Sequence, residues 1–178
     1  MEIRIEQPTD RDAVRRVNEL AFGRPDEARV VDALHDAVRY RQREIGRGAV
    51  TLSLVAVEGG EVIGHILFSP VTIGASAGDV EAVGLAPMAV LPAHQKKGVG
   101  AALVRDGIER LRQDGHGAVV VLGHPGYYPR FGFKKASAFK VTWEKDAPEE
   151  AFMAFELKPD ALKVKGGVAR FRPEFDAV

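Results

Sequence analysis

The chain opens on an alternation, Glu2-Ile3-Arg4-Ile5-Glu6-Gln7, that predicts a short strand. Thr9, with Asp12 three residues on, forms a helix-capping pair, and Val14, Val17, Leu20 and Ala21 follow at helical spacing. Pro25-Asp26-Glu27 marks a second helix start, with proline in the first turn and acids at the positive end. Its apolar stripe is Val30, Val31, Leu34 and Val38. The polar, glycine-bearing stretch 41–48 reads as a loop. Residues 50–58 are β-rich and partly alternating, Gly59-Gly60 is a hairpin signal, and a return strand spans about 61–73. A small, flexible turn covers 74–79, and 80–91 is a third long strand candidate, interrupted by Gly84 and Pro87.

Beyond Gly98 the pattern becomes helical, with Leu103, Val104, Ile108 and Leu111 on one face and Asp114-Gly115 as the stop. The continuous apolar run 118–122 suits a strand buried on both faces. A turn at Gly123-His124-Pro125-Gly126 leads into 127–133, and the remainder, including 152–157, suggests one or two further strands. Strand, two helices, three strands, helix, strand, short helix, strands is the order of a mixed α+β sheet in αβα layers. With 178 residues, one domain over 1–178 is expected.

Composition narrows the function classes. Lysine and arginine number 25, as do aspartate and glutamate, so no basic excess points to nucleic acid or an anionic membrane. There is no cysteine, which excludes disulfides, thiolate metal sites and a cysteine nucleophile. The charged, alternating start is unlike a signal peptide. The longest stretch free of charged residues, 62–78, falls short of the roughly 20 apolar residues of a membrane helix. A cytoplasmic protein is expected. The histidines (His35, His65, His94, His116, His124) show no metal-ligand spacing, so no metal is expected.

The informative stretch runs from Met88 through Gln95-Lys96-Lys97-Gly98-Val99-Gly100-Ala101 to Leu103. A strand ends in a loop, and the loop opens an amphipathic helix. The first N–H groups of a helix lack internal partners and sit at the positive end of its dipole, which makes an anion site. Gly98 and Gly100 let the backbone approach a diphosphate, and Lys96 and Lys97 add positive potential. The Walker pattern is absent, and the third glycine of a dinucleotide fingerprint is replaced by Leu103. By glycine spacing alone, a plain strand–helix turn is the simpler reading.

The combination Val90-x-Pro92-x-x-Gln95-x-x-Gly98-x-Gly100-x-x-Leu103 resembles the central motif of the GNAT acetyltransferase superfamily. Tyr128-x-x-Phe131-Gly132-Phe133 resembles its final motif, and the fuller string from Gly123 to Phe133 is similar to one bacterial branch of stand-alone acetyltransferases. The resemblance implies a mostly antiparallel sheet whose central strand splays from its neighbour at a bulge. It implies acetyl-CoA as cosubstrate, with the pantetheine arm on Met88, Ala89 and Val90. The pyrophosphate would lie on the loop Gln95, Lys96, Lys97, Gly98, Val99, Gly100 and Ala101. Gln95 departs from the commoner arginine at its position. Tyr128 falls where the family's tyrosine lies and is the candidate catalytic group, protonating the departing thiolate. The alternative for Tyr128 is packing, or a hydrogen bond to sulfur without proton transfer.

The chemistry implied is direct attack of an amine on the thioester, with no covalent enzyme intermediate. The base is open among Glu58, His65, Glu81, His124 and a water chain, with Gly84 near the place where some relatives carry a glutamate. Tyr127 is expected to pack or to line the acceptor pocket, and Phe131 and Phe133 to be core. The partner is an unidentified amine acceptor, in a monomer or an oligomer. A non-catalytic CoA-binding regulatory module is the competing reading, and transfer of a longer acyl chain a third.

Overall fold

The computed structural model describes residues 1–41, 49–76, 78–163 and 166–177. The loop expected over 41–48 lies almost wholly outside them, as does the Val38 side chain. The described strands are β1 (Glu2–Ile5), β2 (Leu52–Glu58), β3 (Glu61–Ala75), β4 (Val80–Val90), β5 (Ala118–Leu122), β6 (Lys134–Lys135), β7 (Val141–Trp143), β8 (Phe152–Glu156) and β9 (Gly167–Arg170). The helices are α1 (Arg11–Phe22), α2 (Asp26–Arg41) and α3 (Val99–Gln113). This is the expected α+β class, with mixed and mostly antiparallel pairing. The tail after Phe133 holds four strands rather than one or two. Two of them, β6 and β7, are too short to show a period in sequence.

The chain divides into two compact units, and β3, β4 and α3 each contribute residues to both. The first unit comprises residues 1–68, 87–107 and 173–178. In it β1 pairs antiparallel with β2, and β2 with β3, Ile3 lying opposite Ala56 and Leu54 opposite Ile66. Val14 and Val17 of α1 and Val30, Val31 and Leu34 of α2 are buried, as the helical stripes predict, and so is Ala28. Leu20 departs from the stripe and is 48% exposed, while Asn18 is fully buried in its stead, its amide nitrogen on the Val14 carbonyl and His65 Nδ1.

The start of α1 also differs. Residues Pro8–Asp10 form a 3-10 turn, and Asp10 rather than Thr9 takes the N-cap position of α1, with no side-chain bond to that helix. The Asp10 carboxylate accepts the Gln7 N–H at 2.7 Å and is gripped by both Arg4 guanidinium nitrogens at 2.6 and 2.9 Å. The hydrogen bond from Arg4 holds the Asp10 carboxyl below its usual range.

The second unit comprises residues 69–86 and 108–172. Here β4 pairs parallel with β5, and β5 antiparallel with β8, which also carries β6. β9 joins β3 on one side and β7 on the other. Ala118, Val119, Val120 and Val121 of β5 are all buried, as a strand covered on both faces should be. On one face, Ala118 and Val120 pack in a core with Val71, Ile73, Phe152, Ala154 and Leu162.

β4 runs unbroken through Gly84 and Pro87. Its register with β5 covers Val83 and Gly84, so Pro87 falls where that pairing has already ended. Gly84 is needed by its surroundings: a Cβ there would stand 2.5 Å from the Phe171 ring and 2.8 Å from Val71.

α3 is seated on β3 by close contact in the first unit. A Cβ on Gly107 would lie 2.5 and 2.6 Å from Cε2 and Cζ of the fully buried Phe68. A Cβ on Gly64 would lie 3.0 Å from Val99 and 3.1 Å from Leu103. Glycine inside a helix costs about 1 kcal/mol relative to alanine, so Gly107 has a packing reason. Gly107→Ala is expected to lower unfolding stability by about 1 kcal/mol despite the better helix former, because overpacking costs about 1–3 kcal/mol. Urea titration reads this directly. A stabilised variant would show that the Phe68 ring can move aside.

Candidate active site

The expected cofactor residues form one continuous stretch in the first unit. Met88 is half-buried, and Ala89 and Val90 are buried at the end of β4. The neighbouring Leu91 N–H donates to the Ile63 carbonyl of β3 at 2.9 Å. A 3-10 turn over Pro92–His94 follows, so α3 opens only at Val99. Gln95 turns back, and its amide donates to the Val90 carbonyl at 3.1 Å, tying the loop to the strand it leaves. His94 is partly exposed and lies 3.6 Å from Glu58.

Between Gln95 and Val99 the backbone enters the left-handed region twice, at Lys96 (φ 59°) and Gly98 (φ 90°). A Cβ on Gly98 would meet nothing within 4 Å, so glycine is needed there for its backbone angle. The Ala102 N–H makes the first bond of the helix, to the Gly98 carbonyl at 3.0 Å. The N–H groups of Val99, Gly100 and Ala101 therefore precede the intrahelical ladder. No acidic side chain lies in the first turn. Lys96 and Lys97 are exposed beside it, while Val99 points inward onto Gly64. The arrangement presents bare donors and positive charge at the positive end of a helix whose first turn carries no acid.

Tyr128 belongs to the second unit, at the head of a 3-10 turn over Tyr128–Phe131. Its ring meets Tyr127 edge-on at 5.2 Å and Phe133 at 5.5 Å between centroids. It also lies on Gly123, where a Cβ would stand 2.3 Å from the ring, so this glycine makes room for the tyrosine. Burial, with the neighbouring Tyr127 adding to it, pushes the Tyr128 phenol well above its ordinary range. Tyr127 packs as expected and carries the Arg130 guanidinium 4.1 Å over its ring. Phe133 is core, and Phe131 is half-buried against Tyr127.

Among the base candidates, His65 is removed from contention. It is fully buried in the first unit, with its ring nitrogens on Asn18 and Ser53. The Gly84 position is filled by Phe171. Glu81 and His124 remain exposed. The His65 neighbourhood was missed as a group in the sequence, although a histidine inside the apolar run 62–68 is the signal that marks it. Among the described residues no group of histidine, aspartate and glutamate has the arrangement of a metal site. No helix there is long and apolar enough to cross a membrane.

An α+β frame carrying this strand, loop and bare helix start is the architecture of the acetyltransferase class. The chain belongs to the GNAT acetyltransferase family: the acetyltransferase (GNAT) domain matches residues 2–136. It is 33% identical to the uncharacterized N-acetyltransferase YhbS of Escherichia coli strain K12 over 177 residues, 99% of each chain. It is 40% identical to the uncharacterized N-acetyltransferase YjhQ of the same strain over 136 residues, 76% of this chain and 71% of that one. The crystal structure of E. coli YhbS in complex with CoA superposes with a TM-score of 0.86, covering 98% of this chain and 91% of that one. A GNAT family acetyltransferase from Brucella melitensis in complex with acetyl-CoA is 38% identical, with a TM-score of 0.76 over 98% of this chain and 97% of that one.

The raised Tyr128 pKa has a sign. The folded state keeps the phenol proton that an unfolded chain loses near pH ~10. The stability this contributes is complete below that pH and is lost as pH rises above it. Absorbance at alkaline pH, wild type minus Tyr128→Phe, is expected to show no tyrosinate from this residue until the fold itself fails. An ordinary midpoint near ~10 would mean that the ring is open to water.

Proposed function

We propose that this chain transfers the acetyl group of acetyl-CoA to an amine by direct attack, as one acetyltransferase domain over residues 1–178. The observation that carries the reading is the start of α3, with three donors outside the helical ladder, no acid in the first turn and two exposed lysines alongside. The solved relatives in complex with CoA and acetyl-CoA support the same ligand here. In this reading the main chain of Met88, Ala89 and Val90 holds the pantetheine arm. The stretch Gln95, Lys96, Lys97, Gly98, Val99, Gly100 and Ala101 holds the pyrophosphate, Gln95 by bracing the loop against Val90.

The amine lone pair attacks the thioester carbonyl carbon. A carbon–nitrogen bond forms, the carbon–sulfur bond breaks, and the sulfur leaves as a thiolate. Tyr128 gives that sulfur its proton, and the amine's surplus proton passes to water or a base. Because burial makes the Tyr128 phenol a reluctant acid, it hydrogen-bonds the sulfur first and yields its proton only as thiolate charge develops.

The test follows free CoA with a thiol reagent over a panel of primary amines. Tyr128→Phe is expected to lower kcat by roughly 10²-fold with little change in the KM for acetyl-CoA. Gly100→Asp is expected to abolish acetyl-CoA binding by calorimetry while leaving the fold intact. An acid in the first turn favours the helix dipole but repels a pyrophosphate. Tight acetyl-CoA binding with no thiol release from any acceptor would instead mark a non-catalytic CoA-binding module. Unchanged turnover in Tyr128→Phe would remove the proton-donor role.

A further inference from the structure

Five polar side chains from five elements meet inside the first unit, and the acetyl transfer described above uses none of them. They are Glu6 just after β1, Asn18 on α1, His35 on α2, Ser53 on β2 and His65 on β3. The Glu6 carboxylate is 5% exposed, the His65 ring is fully buried, and His35 is 19% exposed, so it alone of the two rings reaches water.

Each ring's protonation state follows from what faces it. Asn18 Nδ2 donates to the Val14 carbonyl at 2.9 Å and stands 3.1 Å from His65 Nδ1, so that nitrogen accepts. His65 Nε2 then carries the hydrogen and donates to the Ser53 hydroxyl at 2.9 Å, which donates onward to Glu6 Oε2. His65 is therefore neutral. His35 is the opposite case. Its Nδ1 lies 2.8 Å from the Val31 carbonyl and its Nε2 lies 3.1 Å from Glu6 Oε2. Both partners are acceptors, so both nitrogens must donate and the ring is an imidazolium. Loss of the proton, in either tautomer, sets a lone pair against a carbonyl or a carboxylate.

We propose that His35 is a proton-operated latch that fastens α2 to the end of β1 while it is charged and releases it when the proton leaves. Among the described residues, charged groups on the neighbouring elements are engaged elsewhere: Arg11 of α1 with Asp36 of α2 at 3.2 Å, Arg15 with Asp32, Arg4 with Asp10, and Glu174 and Asp176 of the turn 173–177, which packs on α2, in contacts of their own. Arg11 opposes the charge on His35, and Glu6 outweighs it. Burial lowers the His35 pKa and the Glu6 contact raises it, with a net rise, whereas burial holds His65 down. A raised histidine pKa gives a latch that is complete below pH ~6.5 and lost as pH climbs through the folded value.

The experiment uses the full chain, labelled for NMR, and needs neither acetyl-CoA nor an acceptor. The His35 ring is expected to titrate with a midpoint above ~6.5, and the His65 ring to stay neutral with its hydrogen on Nε2 throughout. Amide exchange in α2, corrected for its intrinsic pH dependence, should show opening that rises by up to about tenfold per pH unit above ~6.5. In His35→Gln, which keeps a donor toward Glu6 but cannot titrate, that dependence should vanish. A His35 midpoint at or below ~6.5, or the same exchange slope in wild type and His35→Gln, would overturn the latch. If the variant does not fold, the wild-type ring titration decides alone.

Discussion

Helix α3 is held to β3 at two places, Gly64 and Gly107, where a side chain would collide with Val99 and Leu103 or with the Phe68 ring. The anion site proposed at the start of α3 depends on that contact. An anion site made of helix N–H groups works only if those groups stand still, because a donor displaced by an ångström loses most of its hydrogen bond. Packing at methyl-to-glycine distance cannot slide without leaving a void or a clash on one side. Val99 serves both ends of the arrangement, its side chain wedged on Gly64 and its N–H in the first turn of the helix.

The buried carboxylate of Glu6 is a second fixed point, of a different kind. Burial alone would drive it to protonate, but the His35 ring and the Ser53 hydroxyl donate to it, with the His65 ring 3.6 Å away, and together they hold it ionised, well below the usual carboxylate range. A charge so enclosed is stable only while its donors are in place, so it draws its surroundings into one geometry. The hydrophobic effect has no such direction. Val14, Val17, Val31 and Leu34 supply the cohesion of the two helices, and the polar chain specifies how they lie.

Acetyl transfer asks little of a protein beyond this. The thioester is already activated, and the enzyme must hold it, admit a neutral amine and help the thiolate leave. The family accordingly builds its cofactor motif from backbone, and this chain follows that economy. In the proposed mechanism, one of the eleven site residues acts through a reactive side-chain atom. That one, Tyr128, has its acidity set by burial and by Tyr127, on a turn that Gly123 leaves room for.

Several parts of this molecule were legible in the order of residues. The Gly59-Gly60 hairpin, the stop of α3 at Asp114-Gly115, the buried run of β5 and the strand–loop–helix at Gly98 all depend on neighbours within one or two turns of chain. Local φ preferences, periodicity and capping act over that range, so a linear reading captures them. The two-residue β6 and three-residue β7 were not legible, because pairing partners across the sheet decide so short a strand. Nor was the start of α1 at Asp10 rather than Thr9, the Asp10 carboxylate being taken by Arg4, six residues away in sequence, and by the Gln7 N–H. The protonation states of His35 and His65 were set entirely by tertiary contact. His35 stands beside Asp36 and His65 among apolar residues in sequence, but only the atoms facing each ring nitrogen make one charged and the other neutral.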